Sequence, residues 1–331
     1  GTEAISRSWV RLTATIQATG PFLINNPVSS AMSGFDHAPL LTGIDPKKPV
    51  LPGSSLKGAL RSQAEKIART LATSRATENG DDFLRICPVC SPVARRLKAD
   101  TPEPQESCDS LLQYHGVVKT TEPVKRGQLC LACQLFGSPR MGSRLRIEDA
   151  KLVGDPKYKP LDFLAIDRFT GGGADQFKFD AAVLWQPEFQ VRLYLEDPEP
   201  WELGWLLLAL RDFYEGLATV GFGAAKGFGE VQAKGWDVKF GYLTEEDREP
   251  LDLPRGGRKD GSLYYTTSLS SSAPEEWADS AQKWVSAFAK KTKEFQRGKP
   301  DEPKPLPALP KDTFFGTEAE RLYDTREESD D

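Results

Sequence analysis

Alternation of apolar and polar residues predicts strands at several places along the chain. From Trp9 to Thr19, apolar residues recur at every second position, which is the period of a strand with one buried face. The same alternation runs through residues 145–153 and 188–196, and a last strand is expected over residues 230–240. We therefore expect four strands in this order.

Two segments show helical spacing instead. Leucine, isoleucine and alanine recur every three or four residues from Leu56 to about Ala72, after Ser54 or Ser55, either of which can serve as the N-cap. Pro200 begins a second helix with an apolar stripe that ends at Tyr214. The predicted order β-α-insertion-β-β-α-β is that of an α+β, ferredoxin-like (RRM-like) fold, which RNA-recognition domains share.

Composition and hydrophobic pattern divide the chain into a domain at residues 1–240 and an extension at residues 241–331. Within the domain, residues 73–143 lack periodicity and contain all five cysteines, so we interpret them as an insertion. The extension has a short predicted helix near residues 274–295, a Pro-rich linker and an acidic tail.

Charge is distributed unevenly along the chain. The net charge is −5, but residues 301–331 alone carry −6, whereas residues 51–146 carry +6. A basic segment is suited to phosphate contacts, although a solvated charged surface is the alternative. The longest apolar run, Trp205 to Leu210, is too short for a membrane span, and no secretory leader precedes the first strand, so we expect a cytoplasmic chain.

Two C-x-x-C pairs, Cys87/Cys90 and Cys130/Cys133, have the spacing of zinc knuckles. Four thiolates leave no open position for water, so the expected Zn²⁺ is structural. Cys108 and His115 lie between the pairs, and either can replace one ligand. A disulfide framework is the alternative.

Two further segments have features suited to phosphate. The start of the first helix carries Ser54, Ser55, Lys57 and Arg61, with the basic pair one turn apart. The glycine-rich stretch before the last strand holds Lys226 and four glycines of interest, Gly221, Gly223, Gly227 and Gly229. This stretch follows a helix and precedes a strand, which is the reverse of a Rossmann site. A plain helix cap and a structural turn remain the alternatives.

Four motifs occur in a set order along the chain. They are Leu51-Pro-Gly-Ser-Ser-Leu-Lys-Gly-Ala-Leu-Arg61, Leu135-Phe-Gly-Ser138 with Arg144-Leu-Arg-Ile-Glu-Asp-Ala150, Ile166-Asp-Arg168 with a following Thr170, and the glycine loop. Together these motifs resemble the RAMP superfamily, and specifically the repeating backbone subunits of type III CRISPR effector complexes. The resemblance covers roughly residues 9 to 240, and the cysteine insertion resembles the zinc-binding insert of some such subunits.

The resemblance implies a crRNA-binding subunit that stacks with other subunits of the complex along the guide and presents the guide to complementary target RNA. It also implies a thumb-like hairpin at residues 165–187 that wedges into the guide–target duplex. Candidate RNA contacts there are Arg168 and the aromatic residues Phe169, Phe177 and Phe179, although core packing is the alternative for each phenylalanine.

By the same resemblance, an aspartate in the loop before the first helix cleaves the target RNA. Asp36 is the candidate from its distance to the helix, with Asp45 as the alternative and His37 as a possible helper. A lone carboxylate is a weak base, so we expect Mg²⁺ or another divalent ion to take part.

Two other functions stay open on the sequence alone. The chain can be a non-catalytic scaffold of the same complex, or, less in keeping with its residues, a ribonuclease that processes pre-crRNA. The second alternative lacks a convincing histidine-centred acid–base pair, because nothing in the sequence brings His37 and His115 together.

Overall fold

The computed structural model describes residues 6–24, 37–39, 41–42, 48–90, 107–109, 124–163, 179–221, 228–259, 261–270 and 274–296. The chain forms two compact units. The first unit comprises Gly1–Ile67 and Arg144–Lys293, and the second comprises Ala68–Ser143 and Glu294–Asp331.

The first unit is built on one large antiparallel sheet. Its strands are β1 (Ser8–Ala18), β3 (Leu41–Thr42), β4 (Lys48–Leu51), β5 (Leu145–Ile147), β6 (Ala150–Leu152), β9 (Glu188–Glu196), β10 (Val231–Tyr242) and β11 (Tyr265–Ser270). Among the described residues the strand order is β11-β10-β1-β9-β6-β4-β3, and β5 also pairs with β9. The central part, with β1 between β9 and β10, has the strand arrangement of a ferredoxin-like fold, so the predicted α+β class is confirmed.

The predicted strand at residues 145–153 is interrupted. Leu145–Ile147 and Ala150–Leu152 both pair with β9, but Glu148 and Asp149 leave the extended conformation between them. The reason is a tertiary contact, because the Asp149 carboxylate accepts a hydrogen bond from the amide of Gly53, which is 96 positions away.

Helices α1 (Gly53–Asn79) and α4 (Pro200–Tyr214) are the two predicted helices. Helix α1 runs seven residues beyond the predicted end, and Gly80, at φ +69°, follows its last residue. Helix α4 begins as predicted at Pro200, where Glu199 and Glu202 form a capping box. The fully buried Glu202 is ion-paired with Arg144, which joins the start of β5 to this helix.

A second, three-stranded sheet was not expected from the sequence pattern. It consists of β2 (Pro21–Phe22), β8 (Phe179–Trp185) and β7 (Tyr158–Phe163), in the order β2-β8-β7. Strands β7 and β8 form antiparallel arms on either side of residues 164–178, which lie outside the described residues.

The predicted domain boundary at residue 240 falls inside β10, which continues to Tyr242. Strand β11 adds to the same sheet, and helix α6 (Ala278–Glu294) belongs to the same unit. The Phe288 ring stacks on Trp205 at 5.1 Å, and Trp284 lies 5.7 Å from Phe240. The part of the extension up to about residue 293 is therefore packed onto the domain, because its aromatic residues complete the core. The Pro-rich and acidic stretch lies outside the described residues.

The second unit contains the C-terminal part of α1 and two short helices, α2 (Phe83–Ile86) and α3 (Leu131–Phe136). The structure also has helix α5 (Glu245–Arg248) in the first unit, and 3₁₀ turns at Arg126–Gln128, Glu249–Leu251 and Pro274–Glu276. Among the described residues, no helix has the length and apolar character needed to span a membrane.

Candidate functional site

Four buried cysteines of the second unit converge. Their sulfur atoms all lie within 4.8 Å of one another, and the Sγ atoms of Cys90 and Cys133 are 3.6 Å apart. Cys108 and Cys130 complete the group. All five cysteines of the chain are free thiols, so the disulfide alternative is not what this structure contains.

The backbone around these cysteines is arranged to hold sulfur ligands. Cys130 is the N-cap of α3, and its Sγ accepts a hydrogen bond from the Cys133 amide at 3.5 Å. The Cys130 amide donates in turn to Cys108 Sγ at 3.2 Å. The amide of Leu131 donates to the carbonyl of Pro88 at 2.9 Å, which joins α3 to the turn that carries Cys90.

The group fits a tetrahedral metal ion. Metal–sulfur bonds of about 2.3 Å in a tetrahedron place the sulfurs about 3.8 Å apart, close to the Cys90–Cys133 separation. Hydrogen bonds from Cys108 and other neighbouring thiols lower the pKa of Cys90, whereas burial raises the pKa of Cys130. Four buried thiolates repel one another unless a cation neutralises them, and amide N–H groups aimed at sulfur are typical outer-shell partners of metal thiolates. The cluster can therefore hold a metal such as zinc.

The membership of this cluster differs from the predicted ligand set in one position. Cys87 is not among the four clustered sulfurs, and Cys108, predicted as a substitute, is. Cys87 immediately follows α2, its amide donates to Phe83, and its thiol faces the carbonyl of Val89 at 3.4 Å. The sequence signal for Cys108 was weak because it is a single cysteine without a paired partner. His115 lies outside the described residues.

Cys108 is held in place by its neighbour. The Asp109 carboxylate accepts a hydrogen bond from Arg140 at 2.8 Å, so this short described stretch is tied to the turn after α3. No local sequence pattern predicts this contact, because Asp109 and Arg140 are 31 positions apart.

The start of α1 differs from the predicted serine cap. The helix begins at Gly53, and its first amide donates to the Asp149 carboxylate at 2.8 Å. The amides of Ser55 and Leu56 both donate to the Pro52 carbonyl. Ser54 and Ser55 thus lie within the first turn, and these internal hydrogen bonds replace the expected free N–H groups.

Gly53 is required by close packing. A Cβ at this position would lie 2.0 Å from the carbonyl oxygen of Ile147, which only glycine avoids. Two of the sequence motifs, around Gly53 and around Asp149, therefore meet in the fold and position the helix start together.

The Asp149 cap yields a stability prediction. We expect Asp149→Ala to lower the free energy of unfolding by about 1 kcal/mol, because the Gly53 amide and the positive helix end lose their acceptor. Chemical denaturation of the two proteins measures this difference. Glu148→Ala is the matched control, since its ion pair with Arg192 is exposed and its loss should change stability by less than about 0.5 kcal/mol. An equal effect of both variants would exclude the cap.

Lys57 and Arg61 lie one turn apart near this helix start. Burial lowers the pKa of Lys57, and the positive charge of Arg61 lowers it further. The Arg61 guanidinium donates to Glu65 at 2.8 Å. The protonated form of Lys57 is thus destabilised here, and a bound phosphate would offset that cost.

A hydrogen bond joins the two ends of the glycine loop, which we call its neck and which comprise residues 220–221 and 228–229. Gly221 and Gly229 both have positive φ, at +94° and +74°, and the Val220 amide donates to the Gly229 carbonyl at 2.8 Å. A Cβ on Gly229 would lie 2.1 Å from the Val220 oxygen. Gly223, Lys226 and Gly227 lie outside the described residues.

The described ends of three predicted RNA-facing segments share one small apolar cluster. Leu23 stands just before residues 25–36, Phe228 just after residues 222–227, and both are buried with Ala181 and Val183 of β8. Leu161 of β7, which leads toward residues 164–178, packs against the same cluster. The second sheet therefore packs against the described residues that flank residues 25–36, 164–178 and 222–227.

Most of the predicted catalytic and thumb residues lie outside the described residues, namely Asp36, Asp45, Arg168, Phe169 and Phe177. His37 is described and bridges to β8, where its amide donates to the Asp180 carbonyl at 3.2 Å and its carbonyl accepts from the Ala182 amide at 3.0 Å. The backbone of Phe179 begins β8. His37 is therefore joined to the second sheet through its backbone.

Comparison with known proteins assigns the chain to a family. A search of curated proteins finds no match. The family model of the RAMP superfamily, which includes crRNA-binding CRISPR proteins and some ribonucleases, matches residues 15–232. This match covers helices α1 and α4, strands β2 to β9, parts of β1 and β10, and the cysteine cluster, and we conclude that the chain belongs to the RAMP superfamily.

Proposed function

We propose that this chain is a crRNA-binding backbone subunit of a type III CRISPR RNA-guided complex, which holds the guide and cleaves complementary target RNA at Asp36. The observation that carries the proposal is the apolar cluster of Leu23, Phe228 and β8, since it joins the bases of three segments that serve guide and target in this reading. The partners are the guide, the target RNA and neighbouring subunits, and the setting is antiviral defence in the cytoplasm.

We attribute guide binding to side chains at the start of α1 and to the glycine loop. Because the amides of Gly53, Ser55 and Leu56 are engaged within the protein, Lys57 and Arg61 supply the charge for a phosphate there. The two positive φ values at the loop neck let the chain turn back tightly. Lys226 adds a cation on that loop.

Target cleavage is attributed to Asp36. In this reaction the ribose 2′-oxygen attacks the adjacent phosphorus, the bond to the 5′-oxygen breaks, and a proton moves from the attacking to the leaving oxygen. An aspartate of ordinary pKa, about 3.9, is a poor proton acceptor at neutral pH. A divalent ion such as Mg²⁺, held by Asp36 and RNA phosphate, would supply charge stabilisation when bound. His37 lies next to this residue as a candidate for proton transfer.

The metal in the cysteine cluster is proposed to be a structural Zn²⁺. Cys90, Cys108, Cys130 and Cys133 offer four sulfur ligands, which zinc prefers and which leave no position for substrate. The ion would join the Cys108 stretch to α3 and the Cys90 turn.

Salt-dependent binding of the guide tests the guide-binding part of the proposal. We expect Lys57→Glu with Arg61→Glu to weaken guide binding at least tenfold, because two phosphate contacts become repulsive. The slope of log affinity against log salt should flatten by about 1.4, at about 0.7 for each contact with a single strand.

The matched control is Lys290→Glu with Lys293→Glu, two exposed lysines of α6 that undergo the same charge change. The measurement is guide affinity at several salt concentrations for each protein. An unchanged slope in the α1 variant, or an equal change in the control, would remove the start of α1 from the guide-binding site.

A further inference from the structure

One row of side chains crosses the main sheet on the face opposite its apolar core. The strand register places Arg11 of β1 directly between Lys239 of β10 and Tyr194 of β9. Arg146 of β5 lies beyond Tyr194, and Ser268 of β11 lies beyond Lys239. Five adjacent strands thus present a cationic, aromatic and hydroxyl row, in which Arg11 and Ser268 are exposed.

The two central cations of this row, Arg11 and Lys239, lie directly opposite one another on paired strands. Like charges directly opposite each other on paired strands destabilise a sheet. Within the part of the chain that the structure describes, neither the Arg11 guanidinium nor the Lys239 ammonium forms a hydrogen bond or an ion pair, although both backbones are paired in the sheet. By contrast, Arg146 on the same face is paired with Glu196. The centre of the row therefore has positive charge available for an anion.

An aromatic group lies beside the two cations. The indole of Trp9 lies directly over Gly241, where a Cβ would come within 2.2 Å of the ring. The Tyr194 ring is stacked at 6.0 Å from Trp9 with 29° between the planes, and Tyr264 meets Trp9 edge-on at 6.0 Å. All three rings are partly exposed, and the guanidinium of Arg146 stands 5.9 Å from Tyr194.

We propose that this face is a second RNA-binding surface, on which Trp9 and Tyr194 stack an unpaired base of single-stranded RNA while Arg11 and Lys239 bind the adjacent phosphate. Aromatic side chains on an open sheet beside cations are suited to unstacked bases and their backbone. The hydroxyl of Ser268 can bond a ribose 2′-OH, which favours RNA over DNA. These residues are separate from the start of α1 and from the glycine loop, so the surface does not depend on the proposed guide-binding site.

The test uses the full chain carrying Lys57→Glu and Arg61→Glu, so that binding at α1 is suppressed, and an unstructured oligoadenylate of about ten nucleotides. We expect Arg11→Gln with Lys239→Gln to weaken binding at least tenfold and to flatten the salt slope by about 1.4. Ultraviolet cross-linking should join the oligonucleotide to the peptides that contain Trp9 or Tyr194. Trp9→Ala should also weaken binding at least fivefold, at about 1 kcal/mol or more for each stacked base.

The matched control removes two positive charges elsewhere, by Lys283→Gln with Arg255→Gln, and should leave affinity within twofold. Equal losses in the control, an unchanged affinity in the Arg11 and Lys239 variant, or cross-links confined to other peptides would each overturn the proposal. Binding of the matching oligodeoxynucleotide as tight as that of RNA would overturn the assignment to RNA. If Trp9→Ala does not fold, the exchange at Arg11 and Lys239 decides alone, because neither side chain supports the core.

Discussion

Cys108→Ala should abolish binding of the proposed Zn²⁺, whereas Cys87→Ala should leave it in place. Cys108 Sγ is one of four sulfurs that lie within 4.8 Å of one another, and Cys87 Sγ is not among them. Removing one of four ligands opens the site to water and competing thiols, and structural zinc contributes about 10 kcal/mol or more of folding free energy in small zinc domains. We therefore expect metal content to fall from one equivalent to less than half.

Elemental analysis after purification in metal-free buffer measures this difference, and thermal unfolding reports its effect on stability. Cys87→Ala is a close control, because Cys87 is also buried and belongs to the same C-x-x-C pair as Cys90. Loss of metal from the Cys87 variant with retention in the Cys108 variant would restore the ligand set predicted from spacing. Metal-free wild-type protein would rule out the zinc proposal.

Asp36→Ala should abolish one specific cut in complementary target RNA while guide and target binding are retained. A positioned carboxylate that takes part in proton transfer or metal binding contributes about a hundredfold or more to the rate. The experiment compares assembled complexes that carry this chain or its variant, with a guide-complementary RNA and with Mg²⁺ or EDTA. Cleavage products and binding are measured in parallel.

Asp45→Ala, in the same stretch of sequence before α1, is the matched control. Loss of the cut only in the Asp45 variant would transfer the catalytic role to that residue. An unchanged pattern in both variants would make the chain a scaffold that binds guide without cutting. Cleavage of free repeat RNA in the absence of target would instead favour pre-crRNA processing.

The cysteine cluster shows how much of a ligand set can be predicted from cysteine spacing alone. Paired C-x-x-C motifs correctly indicate that thiols of residues 87–133 come together, and Cys130 and Cys133 do lie in the cluster. The pairing rule fails at Cys87, because the chain leaves α2 with that thiol directed at a backbone carbonyl. Cys108 enters the cluster through hydrogen bonds and an ion pair that span many residues, which no local pattern encodes.

The helix start gives a second example. Ser54 and Ser55 satisfy every local rule for an N-cap, yet the cap is Asp149, which is 96 positions away from Gly53. Local propensity predicts where a helix begins only to within a residue or two when a distant carboxylate competes for the first amide. The same contact explains why the predicted strand over residues 145–153 is broken.

The order of the core strands and helices, the α+β class and the cysteine-rich segment could be predicted from the amino-acid sequence, because periodicity and short motifs are local properties of the chain. The folded structure was needed to show which cysteines meet, what caps α1, how β11 and α6 complete the first unit, and which cations face each other across the sheet. These features depend on register and on contacts between residues far apart in the chain, and the free energy that selects them comes from burial and pairing in the folded protein.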